Sequence, residues 1–155
     1  MKVGVVMGSV SDLSVMQGAC EILEQFDVEY DERVFSAHRT PRELEEWLEG
    51  ARERGFCAFI AGAGGAAHLA GVVAAHTTLP VIGVPIMSQA LRGIDSLLST
   101  VQMPSGIPVA TVAIDGAKNA ALLAIEIMAV TDNDLKVKLD DFRARQAAKV
   151  LNAKI

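Results

Sequence analysis

The dipeptide His38-Arg39 holds the residue types in this sequence that point most directly to chemistry. A histidine titrates near neutral pH, so His38 can donate a proton and take it back under physiological conditions. The guanidinium of Arg39 can bind a phosphate group through two parallel hydrogen bonds. A surface histidine beside an ion-paired arginine would produce the same dipeptide. The pair alone therefore leaves two interpretations open, an acid–base group beside an anion-binding group or an ordinary surface loop.

A second group of candidates lies in the segment Gly8-Ser9-Val10-Ser11-Asp12, where the chain enters a predicted helix. Free backbone N–H groups at a helix start, together with the hydroxyls of Ser9 and Ser11, form a natural cradle for phosphate. Asp12 would repel a phosphate but can accept hydrogen bonds from ribose hydroxyls. The alternative interpretation is that Ser9 or Ser11 simply caps the helix.

The segment Gly62–Ala67 matches the dinucleotide fingerprint G-x-G-x-x-A, but the match is incomplete. The acidic residue that should follow about 20 residues later to bind a ribose is missing. The glycines favour instead a close approach of the backbone to a ligand. His68 either lines that site or forms a hydrogen bond within the core. His76, at the end of the following helix, is interpreted as a partner of the helix dipole.

Alternating apolar runs and helical patterns indicate the elements that position these candidates. Strands that alternate with helices predict a parallel sheet with right-handed crossovers. Five strands favour the flavodoxin-like order 2-1-3-4-5. We therefore expect one three-layer α/β domain over residues 1–155 that ends in a C-terminal helix. Predicted strands cover residues 3–7, 28–35, 57–61, 81–86 and 109–114, and predicted helices cover 11–25, 40–54, 66–75, 94–101, 117–130 and 132–151.

The candidate loops all follow predicted strands, whereas the loops that precede strands are plain turns. In open parallel sheets, ligands bind outside the carboxyl ends of the strands. This clustering at one end of the sheet predicts a single binding site there. Residues 87–93, a segment of mixed composition after the fourth strand, are predicted to close over the ligand.

Composition narrows the class of protein. The chain has 155 residues, of which 51% are hydrophobic, and its net charge of −5 argues against binding to nucleic acid. Its two cysteines lack a CxxC spacing, and no metal-ligand pattern, Walker loop or G-x-S-x-G motif occurs, so we expect neither a metal nor ATP chemistry. We also expect a cytoplasmic protein with no signal peptide and no membrane span, because glycines, histidines and prolines interrupt the apolar stretch 56–87.

A series of longer motifs runs through residues 3–150: MGSVSD (7–12), SAHRTP (36–41), AGAGGAAHLAG (61–71), GVP (83–85), GIDSLLS (93–99), VQMPSGIPVAT (101–111) and AKNAALLA (117–124). Together and in this order they resemble the N5-carboxyaminoimidazole ribonucleotide mutase family. The resemblance implies an isomerase of purine biosynthesis that moves a carboxyl group from N5 to carbon 4 without cofactor or metal.

The resemblance also implies roles for the candidates. His38 matches the catalytic acid–base of the family, and Ser9, Asp12 and Arg39 match its substrate-binding positions, to which the phosphate cradle adds Ser11. The loops around the imidazole and the carboxyl group are matched by Ser36, Ala63, Gly64, Gly65, His68 and Leu69. Ala70 departs from the pattern, because the family usually has proline there.

Members of the family assemble as octamers, and the resemblance implies a homo-octamer in which residues 132–155 pack on a neighbouring subunit. Burial between subunits would explain two helices that are apolar nearly all round, 66–75 and 120–130, although tight cover within one protomer would explain them as well. The implied pathway neighbour is an ATP-dependent N5-carboxyaminoimidazole ribonucleotide synthase.

Two alternatives remain at this point. The animal-type carboxylases use aminoimidazole ribonucleotide and carbon dioxide directly on a similar scaffold, but they typically carry lysine and glycine where this chain has Arg39-Thr40. A non-catalytic module that binds a nucleotide or a flavin would use the same sheet and would have no need for His38.

Overall fold

Five parallel strands form one sheet in the order β2-β1-β3-β4-β5, which confirms the predicted order. The computed structural model describes residues 1–153. The strands are β1 (Lys2–Met7), β2 (Glu29–Val34), β3 (Phe56–Gly64), β4 (Val81–Ile86) and β5 (Ala110–Thr111). The helices are α1 (Leu13–Gln25), preceded by a 3₁₀ turn at Val10–Asp12, α2 (Pro41–Leu48), α3 (Leu69–His76), α4 (Ile94–Val101), α5 (Ala117–Ala129) and α6 (Asn133–Leu151).

The central strands are covered on both faces by helices. Residues 3–7 of β1 and all of β4 are buried, as expected for parallel strands in the middle of a three-layer domain. One core lies between the sheet and α1, α5 and α6, with Met16 and Ile125 fully buried in it. The other core lies under α2 and α3 and is built around Trp47 and Phe59. The three-layer arrangement predicted from the sequence is therefore confirmed.

The two edges of the sheet differ from its centre. Strand β2 is exposed along most of its length and pairs only with β1, which confirms its predicted place at an edge. Strand β5 has two residues instead of the predicted six, because only Ala110 and Thr111 pair with β4.

The apolar helix α5 is explained within one protomer. It packs against α1, the sheet and α6, and these neighbours bury Ala120, Ala121, Ala124, Ile125 and Met128. Burial between subunits is therefore not needed to account for its composition. The other apolar helix, α3, buries Leu69, Ala70, Val73 and Ala74, while its remaining residues stay partly or fully exposed.

Helix α6 divides into two halves. Its first half packs on its own protomer, with Leu135 and Leu139 buried and the ring of Phe142 centred 5.6 Å from that of Phe26. Residues 144–151 are exposed along their whole length. The packing of residues 132–155 on a neighbouring subunit stays a prediction, and residues 154 and 155 lie outside the described part of the chain.

The segment Thr40-Pro41-Arg42-Glu43 predicts a capping box at a helix start, with Thr40 as the N-cap, but the structure does not form one. Thr40 stands at the N-cap of α2, as predicted, but its side chain does not bond to the helix. Its hydroxyl instead donates to the carbonyl oxygen of Ser36 at 3.2 Å and accepts from the Ser36 N–H at 2.9 Å. The hydroxyl that could have capped the helix therefore closes the loop that carries His38 and Arg39.

Candidate functional site

A cleft of about 570 Å³ opens at the carboxyl end of the sheet. The loops after β1, β2, β3 and β4 line it, which is where the topology of a parallel sheet places a ligand. All eleven site residues predicted from the sequence lie along its wall: Ser9, Ser11, Asp12, Ser36, His38, Arg39, Ala63, Gly64, Gly65, His68 and Leu69. His76, which was interpreted as a helix-dipole partner, lies at the opposite end of the sheet, where its Nδ1 is 3.8 Å from Glu45.

The first wall of the cleft is the turn after β1. The Ser9 hydroxyl accepts from the Ser11 N–H at 3.3 Å and from the Ser11 hydroxyl at 3.0 Å, so Ser9 does cap the 3₁₀ turn. Capping and ligand binding are compatible here, because both serines keep exposed surface on the cleft. The turn thus offers hydroxyls to a ligand.

Asp12 is the most buried charged residue of the cleft, at 8% exposed. Burial raises the pKa of its carboxyl group, and hydrogen bonds from the Ser9–Ser11 turn oppose that rise only in part. A carboxylate removed from water in this way accepts strongly from hydroxyl donors that enter the cleft. This geometry suits the predicted role of Asp12 in binding ribose hydroxyls.

Arg39 joins the second loop to the first. Its Nε donates to the Ser36 hydroxyl at 3.2 Å, and its Nη2 donates to the carbonyl oxygen of Gly8 at 3.2 Å. A guanidinium has five N–H donors, so others remain for an anion. The two contacts fix the direction of the charge, and Arg39 lines the same cleft as the hydroxyls of the first wall.

His38 and His68 face each other across the cleft. Nε2 of His38 lies 2.8 Å from Nδ1 of His68, and the ring planes are 80° apart. A contact this short requires one nitrogen to donate and the other to accept, so the two rings hold a single proton between these atoms. His68 is exposed to the cleft, which rules out a hydrogen bond within the core as its role.

The glycine segment forms another wall of the cleft, and its glycines serve different purposes. Strand β3 continues through Gly64, whose partner in the sheet is Ile86, so the segment is not the turn that a dinucleotide fingerprint would require. A Cβ atom on Gly62 would overlap the sulfur of Met16, so this glycine lets α1 pack on the sheet. Gly65 has open space around it but adopts a φ of +67°, which favours glycine.

The groups that hold the far wall of the cleft in place were not predicted from the sequence. The Ser88 hydroxyl donates to the carboxylate of Asp95 at 2.6 Å, and this hydrogen bond holds the pKa of Asp95 below its usual range. The Met87 N–H donates to Asp115 at 2.9 Å. Met87 and Ser88 line the cleft, and these bonds anchor the start of the segment that was predicted to close over it. An aspartate just inside a helix start, as in Gly93-Ile94-Asp95, was the available signal.

Residues 1–153 contain no cluster of three or more histidine, cysteine, aspartate or glutamate side chains arranged to hold a metal ion. Both cysteines are free thiols, and burial raises the pKa of Cys20 to about 12. None of the helices in the described part of the chain has the length and apolar character that a membrane span requires.

Comparisons with known proteins agree with one another. The family model for AIR carboxylase matches residues 2–149. The N5-carboxyaminoimidazole ribonucleotide mutase of Pyrococcus abyssi is 63% identical over 142 residues, which cover 92% of this chain and 82% of the relative. The enzyme of the same name from Bacillus subtilis is 56% identical over 153 residues, or 97% and 94% of the two chains. The crystal structure of Treponema denticola PurE superposes with a TM-score of 0.86 at 30% identity and covers 96% of this chain and 93% of that one.

Proposed function

The chain belongs to the AIR carboxylase family, and we infer from this that it is an N5-carboxyaminoimidazole ribonucleotide mutase, an isomerase of purine biosynthesis. The observation that carries the assignment is the identity of 56 to 63% to relatives of that name along nearly the whole chain. The polar groups that line the cleft at the carboxyl end of the sheet support this assignment.

Substrate binding uses the two loops that Arg39 joins. The phosphate lies against the hydroxyls of Ser9 and Ser11 and accepts from the free N–H donors of Arg39. Asp12 accepts from the ribose hydroxyls, since its buried carboxylate would repel the phosphate. These contacts place the imidazole near His38 and His68, which lie on the same cleft.

The first chemical step breaks the bond between N5 and the carboxyl carbon. Protonated His38 gives its proton to N5 as the N–C bond breaks, and the bonding electrons stay with nitrogen. The products of this step are neutral carbon dioxide and aminoimidazole ribonucleotide, with His38 left neutral. General acid catalysis by a histidine suits this step because its proton is available near neutral pH.

The second step forms the new carbon–carbon bond. Carbon 4 of the aminoimidazole attacks carbon dioxide, and neutral His38 then removes the proton from carbon 4. The product is 4-carboxy-5-aminoimidazole ribonucleotide, and His38 regains the proton that it gave up. Since the protons and electrons balance over the cycle, the reaction needs neither ATP nor a redox partner.

Carbon dioxide must stay in place between the two steps. The wall made of Ala63, Gly64 and Gly65 presents backbone and one methyl group, which suits a small neutral molecule and limits its escape. Leu69 is buried at the base of this wall. His68 contacts His38 through a 2.8 Å nitrogen–nitrogen hydrogen bond, so it fixes the orientation of the catalytic ring.

We propose further that the protein assembles as a homo-octamer. Helix α4 buries its polar face and exposes its apolar face. Ser96 and Thr100 face the sheet, while Ile94, Leu98 and Val101 are about half exposed and continue a stripe from exposed Leu91. An apolar stripe of this kind, next to the cleft, is typical of a surface that a partner covers. The exposed half of α6, with Val150 and Leu151, is the second such surface.

The surroundings of the reaction follow from its chemistry. The substrate carries an unstable N-carboxylate, so an ATP-dependent synthase of this compound is the preceding enzyme. We place both in the cytoplasm, where a reducing environment keeps thiols such as Cys20 and Cys57 free.

The test is the reaction itself. Purified protein is incubated with N5-carboxyaminoimidazole ribonucleotide in the absence of ATP and bicarbonate, and both ribonucleotide products are separated by chromatography. We expect 4-carboxy-5-aminoimidazole ribonucleotide to form faster than in the enzyme-free control. Turnover of only aminoimidazole ribonucleotide with added carbon dioxide would assign the carboxylase reaction instead. A yellow protein that binds nucleotide without turnover would indicate the flavin or nucleotide module.

A further inference from the structure

We propose that Ser96 is a positioning residue that holds the Gly64–Gly65 peptide in the orientation needed to retain carbon dioxide; this proposal rests on the mutase function. Ser96 is fully buried on the sheet side of α4. Its hydroxyl donates to the carbonyl oxygen of Ile86 at 2.7 Å and accepts from the Gly65 N–H at 2.9 Å. The hydroxyl thus bridges the ends of β3 and β4 at the point where the two strands separate.

This bridge takes the place of a backbone hydrogen bond between β3 and β4. Gly64 pairs with Ile86 at the last position of the β3–β4 ladder, and beyond it Gly65 turns away with a φ of +67°. Both the Gly65 N–H and the Ile86 carbonyl would lack a partner in the sheet from there on. A backbone group left unpaired in a buried position is costly, so the Ser96 hydroxyl satisfies both.

The bridge matters for the cleft because the peptide has little steric restraint, and the other hydrogen bond on it, from the Ala67 N–H to the Gly64 carbonyl, is longer at 3.3 Å. A Cβ atom on Gly65 would have no heavy atom within 4 Å, and Gly64 has only ordinary van der Waals neighbours. A peptide between two glycines can rotate at low cost, since both residues accept positive and negative φ. The Gly65 N–H that Ser96 holds fixes which face of the peptide the cleft presents.

The position of Ser96 is itself built into the fold. A Cβ atom on Gly83 of β4 would overlap the methyl group of Thr100, so the missing side chain lets α4 lie close to the sheet. One turn earlier on the same face of α4, this close approach brings Ser96 to the end of β4. The neighbouring Asp95 also accepts from the Ser96 N–H at 2.9 Å and from Ser88 at 2.6 Å, so the same helix turn anchors two walls of the cleft.

The orientation of this peptide should decide whether carbon dioxide is attacked by carbon 4 or escapes from the cleft. If the peptide at Gly65 rotates, carbon dioxide escapes before carbon 4 attacks it, and the ribonucleotide leaves as aminoimidazole ribonucleotide. The first step, in which N5 gains a proton and the N–C bond breaks, does not involve this wall. Loss of the Ser96 hydroxyl should therefore divert the product and leave substrate binding nearly intact.

The experiment measures the ratio of the two products formed from N5-carboxyaminoimidazole ribonucleotide, with the enzyme-free rate subtracted, for wild type, Ser96→Ala, Ser96→Cys and Ser99→Ala. Ser99 is the matched control, because its hydroxyl bonds only to the Asp95 carbonyl within the same helix, at 2.8 Å. We expect Ser96→Ala to raise the released fraction about tenfold, with KM within about twofold of wild type. Hydrogen exchange of the peptide that contains Gly65 should become faster in the same variant.

The outcomes separate the proposals. A released fraction equal to that of wild type in Ser96→Ala would show that the bridge is only structural and overturn the positioning role. If Ser96→Ala does not fold, Ser96→Cys decides, since a thiol of similar size forms weaker hydrogen bonds, and an unchanged product ratio in that variant overturns the role as well. If wild type itself makes no 4-carboxy product, the mutase function fails, whereas faster exchange at Gly65 in Ser96→Ala still reports on the bridge.

Discussion

Two clefts of the described residues open at opposite ends of the sheet, and the larger one does not hold the candidate catalytic groups. The cleft at the amino ends of the strands has a volume of about 900 Å³, and the cleft at the carboxyl ends about 570 Å³. The larger cleft contains a histidine, an arginine and a carboxylate too: His76, Arg52 and Glu53. The residue types in the two clefts and the cleft volumes therefore do not show which cleft binds a ligand.

The direction of the strands and helices explains why only the carboxyl-end cleft holds the candidate groups. The amino-end cleft is bounded by the last turns of α2 and α3, where carbonyl groups give a partial negative charge that disfavours an anion. Its polar groups bind one another, as when Arg52 donates to the Thr78 hydroxyl at 3.4 Å. The carboxyl-end cleft is bounded by the starts of helices, where N–H groups and hydroxyls face a ligand. In a parallel sheet, the direction of the strands thus decides which end can bind a phosphorylated substrate.

Replacing the histidine of each cleft with asparagine tests this contrast between the two clefts most strongly. We expect His38→Asn to lower kcat by roughly 10²- to 10⁴-fold, because the reaction loses its proton donor and acceptor. We expect His76→Asn to leave kcat within about twofold of wild type. Both are measured as conversion of the N5-carboxy substrate at saturation. Equal losses in the two variants would contradict the assignment of the catalytic cleft.

The arginines should differ in substrate affinity. Arg39→Lys keeps the charge but loses the planar donors that reach Ser36 and Gly8, so KM should rise about 10- to 100-fold. Arg52→Lys in the other cleft should leave KM unchanged. Steady-state kinetics on both variants gives the answer, and a KM of Arg39→Lys equal to that of wild type would remove Arg39 from the phosphate site.

Gly65 and Gly50 form a matched pair, one in each cleft. Both adopt a positive φ, +67° and +57°, and neither is crowded. Replacement by alanine should lower the free energy of unfolding by about 1–2 kcal/mol in each case, because the side chain disfavours that backbone conformation. Only Gly65→Ala should also lose turnover, as measured on folded protein. Unequal losses of stability, or equal turnover of the two variants, would contradict this prediction.

Replacement of Asp12 should have small effects of opposite sign on the stability of the fold and on substrate binding. Its raised pKa means that the folded protein holds the proton more tightly than the unfolded chain, so the ionised carboxylate destabilises the fold at neutral pH. Asp12→Asn should therefore melt slightly higher than wild type at pH 7 but bind substrate more weakly. The difference in melting temperature should disappear as the pH falls through the pKa of Asp12 in the folded protein.

The control for Asp12 is Glu53→Gln, which alters an exposed carboxylate of the amino-end cleft. It should change neither the melting temperature nor KM. If Asp12→Asn melts lower than wild type at pH 7, the carboxylate stabilises the fold, and the sign inferred from its burial is wrong.

Local signals were enough for part of the fold. Strand β4 and helix α4 have the bounds predicted for them, 81–86 and 94–101, because Pro80 and Gly93 mark their starts. Strand β3 is longer than predicted, since pairing with β4 carries it through Gly64. That extension depends on a neighbour about 20 residues away in sequence. Glycine propensity alone predicts a turn there.

That the candidate residues share one cleft was predictable, whereas their arrangement within it was not. The topology of a parallel sheet gathers its loops at one end, so all eleven candidates lie along one cleft. The contact between His38 and His68 depends on side-chain rotamers 30 residues apart. Ser96 was missed for a different reason: hydrophobic periodicity would turn Ile94 and Leu98 of α4 inward, whereas the structure buries the polar face.

The two edges of the sheet bear on how this protein behaves at high concentration. An exposed strand edge is a template on which other chains can add and aggregate. Here Glu29, Asp31, Glu32 and Arg33 place charges along β2, and β5 at the other edge is only two residues long. A chain that approached the β2 edge would meet charged side chains. A chain that approached the β5 edge would find only two residues with which to pair. The sheet can therefore remain open at both edges while resisting the edge-to-edge addition of other chains.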